Sequence, residues 1–313
     1  MIMCKCYQAY WESMSVIKYL YQNRGFIVLS ASILSLPLNK LNALELNFGV
    51  GEFNIKQSIN PLFSNNISLD LNTLSLSETH QKIGRSKYYY NFNLEYFDSD
   101  TLNKITDFSS KPLTTPIPFV GDSISDRVAD YTQLPVPADY RMHGINLDFG
   151  LGYELHRDKN KQFGMGINTG LSLPFMEVHN MKNTVNLLIE LADRFDTEIK
   201  TYKLGASAFA QYQLKPDLNF TVNTSYNLQT GQMDNNIVGS GIDISGSYFT
   251  LTSNLIYQPK QFKGLAVNAG YTSNHWDYDS TTVSTPIGNR KIPRVIDTSF
   301  SANNFFAGLG YQF

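Results

Sequence analysis

Residues 145–155 read INLDFGLGYEL, with apolar or aromatic residues at every odd position and polar residues or glycine at every even one. After a charged turn at 156–161, residues 163–173 (FGMGINTGLSL) repeat the alternation, with a single threonine in the apolar set. Successive side chains of a β-strand point to opposite faces, so each stretch predicts a strand with one apolar and one polar face. The same pattern recurs at 88–96, 202–214 and 218–228.

The composition narrows the kind of sheet that these strands form. The 313 residues are 42% hydrophobic but only 17% charged, below the roughly 25% typical of soluble domains. Apolar residues are too plentiful for a disordered chain, and a net charge of -2 offers no basic face for nucleic acid. Many strands are near 12 residues, against about 5–6 in a soluble sandwich. Long strands whose polar faces carry Gly, Asn, Ser and Thr favour a transmembrane β-barrel.

The N-terminal segment has the layout of a secretory signal peptide. Lys18 and Arg24 precede an apolar run at 25–38, and a small residue, Ala43, follows it. The run is shorter than the roughly 20 residues of a membrane-spanning helix. We therefore expect a cleaved segment at 1–43, Sec-dependent export to the periplasm, and a mature barrel domain at 44–313.

Two further expectations follow from this segment. The stretch before Met14 is unusual for a signal peptide, so translation starts at Met1 or at Met14. Both cysteines, Cys4 and Cys6, precede the cleavage site, so the mature chain is expected to have no disulfide and no thiolate metal site. No other spacing points to a metal ion or a cofactor.

The alternation predicts an up-and-down antiparallel barrel of ten strands. They are placed at 44–55, 66–76, 85–98, 140–155, 162–175, 200–214, 218–229, 244–258, 264–276 and 302–313. Short turns then alternate with long loops, as in barrels whose periplasmic turns are short, whose extracellular loops are long and whose strand number is even. In the second strand the apolar residues change phase between Leu71 and Leu74, and the top of the eighth is also irregular. Either β-bulges or a miscount would explain this, so eight strands is the alternative.

The C-terminal residues resemble a motif of a known class of barrels. The chain ends FFAGLGYQF, with apolar residues at every second position, among them Phe305, Leu309, Tyr311 and Phe313. This resembles the signal by which the barrel-assembly machinery recognises outer-membrane β-barrel proteins of Gram-negative bacteria. The resemblance covers the mature chain and implies an outer-membrane location, contact with lipid and lipopolysaccharide, and a monomer by default. It leaves the subfamily open, because ten strands are shared by omptin proteases and a neisserial-type adhesin.

Charged residues in the inward phase indicate what the lumen contains. An eight-stranded barrel is filled by side chains and sixteen strands leave an aqueous channel, so ten lies near the filled end. The interior is therefore expected to be a charge-paired polar plug, with a narrow porin-like path for small solutes as the alternative. Mixed signs predict no ion preference. The residues assigned to the lumen are Glu45, Asp70, Arg85, Lys87, Glu95, Asp148, Glu154 and Lys203.

An omptin-like hydrolase is a further, weaker hypothesis. Omptins place two acids opposite an Asp-x-His pair, and this chain has no Asp-x-His. The nearest equivalents are Glu177 with His179 and Asp277 with Asp279, which continue the outward, lipid-facing phase of their strands. The leading expectation is instead a non-enzymatic surface protein, structural or adhesive. It acts through loops 99–139 and 277–301, which are possible sites for a host or surface ligand. A helical stripe near 185–195 either caps the mouth, lies on the outer leaflet or packs against its own loop.

Overall fold

The structure, a computed structural model, describes residues 43–59, 63–99, 139–179, 196–235, 239–280, 283–284, 291–292 and 296–312. The predictions for the signal peptide, most of loop 99–139, the stripe at 185–195 and Phe313 lie outside these residues. Within them, no helix is long and apolar enough to cross a membrane.

Twelve strands make up the described chain, and ten of them close into one barrel. The remaining two, β10 (Val283–Ser284) and β11 (Lys291–Ile292), pair only with each other. The barrel strands are β1 (Ala43–Ile59), β2 (Phe63–Lys82), β3 (Tyr88–Ser99), β4 (Asp139–Arg157), β5 (Lys161–His179), β6 (Thr197–Lys215), β7 (Leu218–Asn235), β8 (Gly239–Tyr257), β9 (Leu265–Ser280) and β12 (Ile296–Gln312).

All neighbouring barrel strands are antiparallel, and β12 closes the sheet on β1 from Ala43↔Gln312 to Ile59↔Ile296. Closure leaves no open strand edge, so the backbone groups of all ten strands can pair within the wall. The ten-stranded antiparallel barrel is thus confirmed, and the eight-stranded alternative is wrong. Every barrel strand is longer than the roughly 9–11 residues that span a bilayer, which means that the wall extends beyond the membrane.

An apolar belt surrounds the barrel, and β6 shows its height. Tyr202 and Tyr212 lie on the outer face, 41% exposed each, ten residues apart. At about 3.3 Å per residue and a tilt of about 40°, they bound a band roughly 25 Å tall, the height expected of a lipid-facing surface. Every barrel strand contributes exposed apolar side chains to the belt: Val50, Leu74, Leu94, Leu151, Ile167, Leu204, Leu228, Leu255, Val267 and Phe305.

Tyrosines mark the belt on the side of the short turns, which we call the turn end; the opposite side is the loop end. Tyr153, Tyr212, Tyr257 and Tyr311 are all between 39% and 48% exposed on the outer face there. Phe305 and Leu309 are also outward and exposed, so the described part of the C-terminal motif faces the lipid side of β12. Amphipathic tyrosine rings are typical of membrane–water interfaces.

Above the belt, towards the loop end, the barrel is apolar inside and polar outside. Along β2 the odd residues face the interior throughout, but Ile67, Leu69 and Leu71 are apolar, whereas Thr73 and Ser77 are polar. The pairing of β1 with β2 runs without a register shift from Glu45↔Ser77 to Ile59↔Phe63. The change of phase in the sequence of β2 is therefore neither a bulge nor a miscount. It marks the height at which the outer surface passes from lipid to water.

Candidate functional site in the barrel interior

Two opposite charges meet at the centre of the lumen. Lys203 Nζ on β6 lies 2.8 Å from Asp148 Oδ1 and 3.0 Å from Asp148 Oδ2 on β4. Between them on β5 stands Gly170, which pairs with both residues in the sheet. A Cβ on Gly170 would lie 2.9 Å from Asp148 Oδ1 and 2.1 Å from the Leu147 carbonyl oxygen. The missing side chain thus lets the ion pair form across an intervening strand.

Polar and aromatic groups surround this pair. The ring centroid of Tyr248 lies 4.0 Å from Lys203 Nζ, close enough for a cation–π interaction. Glu95 accepts hydrogen bonds from Asn274 Nδ2 at 3.1 Å and, at 3.4 Å, from Asn146 Nδ2. These partners hold the buried charged groups in fixed positions, as burial in a confined interior requires.

A packed aromatic cluster fills the interior on the loop side of these charges; we call it the aromatic plug. The ring of Phe53 lies 5.7 Å from Phe97, 6.1 Å from Trp276 and 5.9 Å from Phe300, measured between centroids. Trp276 also contacts Tyr248 at 5.2 Å. The indole N–H of Trp276 donates to Ser172 Oγ at 2.9 Å, and Ser172 Oγ donates to Asn146 Oδ1 at 2.7 Å. The plug is thereby tied to the polar network beneath it.

Below the plug lies a polar cavity of about 140 Å³. Its lining includes three carboxyl groups, Glu45, Glu95 and Asp148. Lys203, paired with Asp148, is the positive group beside them. Among the described interior groups at this cavity, acids therefore outnumber bases by three to one. This differs from the mixed signs expected from the sequence and makes the cavity favourable for cations.

Of the eight predicted lumen residues, the structure places five in the barrel interior and three outside it. Glu45, Glu95, Asp148 and Lys203 stand at or beside the cavity. Glu154 is also inward, at the turn end, where its carboxylate lies 3.0 Å from Lys82 Nζ and 3.8 Å from Arg157 Nη1.

The other three predicted lumen residues do not line the lumen. Asp70 is exposed on the outer face, since Leu69 and Leu71 take the inward positions above the belt. Arg85 and Lys87 are exposed in the turn before β3, which begins at Tyr88 rather than at 85. Gly84, at φ 64°, allows this turn to be tight.

The residues of the hydrolase hypothesis are not brought together. Glu177 lies near the end of β5 and Asp277 near the end of β9, and four steps around the ten-stranded wall separate these strands. Asp277 is exposed on the outer face, 3.5 Å from His275 Nε2. The side chains of His179 and Asp279 lie outside the described part. The outward phase is as expected, but Glu177 and Asp277 stand above the belt rather than facing lipid.

Ion pairs cover the outer wall above the belt. Arg141 binds Asp98 in a bidentate manner, with Nε–Oδ1 at 2.9 Å and Nη2–Oδ2 at 2.8 Å. These hydrogen bonds raise the pKa of Arg141 further above its usual value, so its charge is permanent. Glu177 lies 3.7 Å from Arg141 Nη1 and 4.0 Å from His143 Nδ1. This side of the wall is a solvated, charge-paired surface.

Sequence reasoning missed the uncharged members of the interior, chiefly Tyr248, Trp276, Asn47 and Asn268. These residues occupy the inward-facing alternate positions of their strands, so the alternation in the sequence was sufficient to predict that they face the lumen. Among the described residues, no group of three or more His, Cys, Asp or Glu side chains is placed to hold a metal ion. Asparagine amide oxygens, which can also bind metal ions, are not among these four residue types.

Comparison with known proteins gives similarity in fold. No family model matches the chain, and no curated protein does. Among solved structures, the outer membrane protease OmpT from Escherichia coli is 8% identical, with a TM-score of 0.49, covering 87% of this chain and 96% of its own. Neisserial surface protein A is 10% identical, with a TM-score of 0.30 and coverage of 87% and 99%. The translocator domain of the autotransporter NalP from Neisseria meningitidis is 10% identical, with a TM-score of 0.35 and coverage of 95% and 97%.

The architecture of this chain is that of an outer-membrane β-barrel. The wall closes, its ten strands are antiparallel, and an apolar belt, about 25 Å tall on β6, surrounds it. Barrels of this architecture are compatible with many activities, so the fold alone does not select one.

Proposed function

We propose that this protein is a sealed, non-enzymatic surface barrel of the outer membrane, which acts through the extracellular loops that its wall raises above the bilayer. The aromatic plug is the observation that carries this proposal. Neighbouring ring centroids of Phe53, Phe97, Trp276 and Phe300 lie 5.7–6.1 Å apart, a separation typical of rings in direct contact. Rings packed in this way leave no room between them for a file of water molecules.

The wall above the belt supports a role at the cell surface. On β1, nine residues separate Val50 in the belt from the end of the strand at Ile59. This adds roughly 20 Å of height at about 3.3 Å per residue and a tilt of about 40°. An apolar interior and an ion-paired exterior make this extension resemble a soluble protein. It forms a rigid base for loops 99–139 and 277–301, which we propose as the elements that bind a host or other surface ligand.

The remaining partners follow from the same placement. The belt faces lipid, and the wall above it stands at the level of lipopolysaccharide. The outward residues Phe305, Leu309 and Tyr311 of β12 belong to the proposed recognition signal for the barrel-assembly machinery. No second copy of the chain is needed to close the wall, and we propose a monomer exported through the Sec pathway.

Conductance measurements test the sealed lumen. Full-length protein, purified folded from outer membranes, is inserted into a planar lipid bilayer. We expect no discrete openings, with heat-modifiable migration on a gel showing that the barrel is folded. Stable openings would contradict the proposal and favour the second candidate, a narrow channel for small solutes. The polar cavity with its three carboxyl groups is the observation that favours this candidate.

Loop excision tests the surface role. Cells that display the chain without residues 103–135 are compared with cells that display the intact chain, using binding to host cells or matrix proteins. We expect folded barrel in both and reduced binding without the loop. The absence of catalysis is tested separately with His179→Ala and Asp277→Ala in a peptide-cleavage assay. Cleavage by the parent chain that either substitution abolishes would support the hydrolase hypothesis instead.

A further inference from the structure

The side chains of Asn47 and Asn268 approach each other across Gly308, near the turn-end side of the cavity. In the sheet, Gly308 of β12 pairs with Asn47 of β1 on one side and with Asn268 of β9 on the other, and all three residues face inward. A Cβ on Gly308 would lie 2.1 Å from Asn47 Oδ1 and 2.6 Å from Asn268 Oδ1. The two amide oxygens therefore lie within 4.7 Å of one another, over a position that has no side chain.

Within the described part of the chain, neither amide oxygen has a hydrogen-bond partner, although Asn47 is only 6% exposed and Asn268 only 1%. The Nδ2 group of Asn268 donates to Glu45 Oε2 at 3.1 Å. A carboxylate can only accept, so this bond fixes which end of the Asn268 amide faces Glu45. The free oxygen of Asn268 must then point away from Glu45, over Gly308. Buried acceptors without a donor are costly and call for one in the cavity.

Glu45 adds a negative charge to the same place. It pairs with Gly310, two residues along β12 from Gly308, and it lines the cavity. Among the residues that the structure describes, no Lys, Arg or His nitrogen lies within 4.0 Å of its carboxylate. An ionised carboxylate in a confined interior is costly unless it is paired, and a bound cation would supply that partner.

At two other places in the barrel, inward polar residues of two strands also meet across a glycine of the strand between them. In both, a donor from the protein itself binds the acceptor. Across Gly170, Lys203 provides the ammonium group for Asp148. Across Gly205, Asn168 Nδ2 donates to Asn227 Oδ1 at 3.2 Å. The arrangement across Gly308 differs from both, because its two amide oxygens lie on either side of the glycine beside a carboxylate, and no described lysine, arginine or amide group binds either oxygen.

We infer that Glu45, Asn47 and Asn268 form a binding site for a hard metal cation, seated over Gly308 at the turn-end side of the cavity. Carboxylate and amide oxygens with bound waters are the ligands that Ca²⁺ takes in proteins. One carboxylate and two neutral oxygens are a weak set, so the dissociation constant is expected on the order of 10⁻⁴–10⁻³ M, as in extracellular Ca²⁺ modules. The site is independent of the proposed surface function, because it requires neither a sealed nor an open lumen.

Calorimetric titration with CaCl₂ tests the site. Full-length protein in a zwitterionic detergent is freed of metal with a chelator and titrated in choline chloride. We expect one saturable ion per chain. Glu45→Gln removes the charge without changing the shape and should weaken binding at least tenfold. Glu52→Gln, on the outer face of the same strand, is the matched control and should bind as the parent does.

Glycine substitutions test the geometry independently of the charge. Gly308→Ala places a methyl group against both amide oxygens and against the Leu46 carbonyl oxygen, and it should also weaken binding at least tenfold. Gly150→Ala is the control, because its Cβ would face the same cavity with its nearest neighbours at 3.4 Å. Heat-modifiable migration checks the folding of each variant. Should Gly308→Ala fail to fold, Glu45→Gln still decides the question.

The outcomes separate clearly. Binding lost in Glu45→Gln and kept in Glu52→Gln supports the site. Competition by NaCl with the same dependence on Glu45 also supports it and identifies a monovalent occupant. No saturable heat, or equal affinity in Glu45→Gln, would overturn it and leave water as the content of the cavity. Absence of cation binding would not change the conductance of the barrel, so the cation site and the sealed lumen can be rejected independently.

Discussion

Lys203 and Asp148 form an ion pair across the strand between them, with Lys203 Nζ 2.8 Å from Asp148 Oδ1 and the lysine side chain fully buried. The pair depends on Gly170, since any side chain there would enter the space that the carboxylate occupies. Removing one partner of a buried pair leaves an uncompensated charge, which is a larger loss than the pair contributes on its own.

Replacement of Lys203 is therefore expected to destabilise the barrel strongly. Lys203→Met should lower the free energy of unfolding by about 3–5 kcal/mol. Urea unfolding in detergent, followed by the fluorescence of Trp276, measures the change. Lys215→Met, at an exposed position of the same strand, is the control and should stay within about 0.5 kcal/mol of the parent. Equal effects of the two substitutions would show that the ion pair does not matter for stability.

The outer-wall pair should behave differently. Arg141 and Asp98 form a bidentate pair, but their side chains are 38% and 28% exposed. Water and salt screen such pairs, so Arg141→Ala should lower the free energy of unfolding by about 1 kcal/mol or less. The same urea experiment, repeated at high salt, should shrink the difference further. A loss as large as that from Lys203→Met would mean that the wall above the belt is as dry as the lumen.

Removal of the plug should open the lumen. The double variant Phe53→Ala/Trp276→Ala deletes two rings that lie 6.1 Å apart in the plug, and we expect it to conduct in a planar bilayer. Because Glu45, Glu95 and Asp148 outnumber Lys203, the reversal potential in a salt gradient should indicate preference for cations. Leu204→Ala, on the lipid face of β6, is the control and should stay silent. A preference of the double variant for anions would contradict the charge balance assigned to the cavity.

Acid should affect the turn between β4 and β5. Asp158 accepts hydrogen bonds from the backbone N–H groups of Asn160 and Lys161, both at 2.8 Å, and these bonds lower the pKa of Asp158. A pKa that is lower in the folded state stabilises the turn above the unfolded value of about 3.9, and this contribution is lost as the pH falls through the folded value. Carboxyl-carbon NMR of the folded protein should show a midpoint below 3.9. A midpoint at or above that value would mean that the turn bonds are absent in solution.

Much of the fold could be read from the sequence because it depends on one periodicity. Residues 145–155 and 163–173 alternate with a period of two, and side chains of a strand must alternate faces. Each such stretch therefore defines a strand without knowledge of its neighbours. Short connections such as 156–161 force adjacent strands to be antiparallel. These local facts predict an antiparallel up-and-down barrel of ten or eight strands, and the structure shows ten.

The interior could not be read in the same way, as Asp70, Arg85 and Lys87 show. The rule that polar residues face inward holds only where the outer surface meets lipid. Asp70 lies above that level, where water is outside, and so the apolar residues Leu69 and Leu71 turn inward instead. Arg85 and Lys87 were assigned to a strand that begins at Tyr88.

Sequence alone thus determined which residues share a face and that neighbouring strands run antiparallel, because these depend on local geometry, but it left ten strands and eight as alternatives. The tertiary structure decided where the belt lies on each strand and which groups meet across the lumen. Lys203 reaches Asp148 over Gly170, and Asn47 approaches Asn268 over Gly308, through registers that join residues distant in the chain. Those registers are set by closure of the whole barrel, which no single stretch of sequence contains.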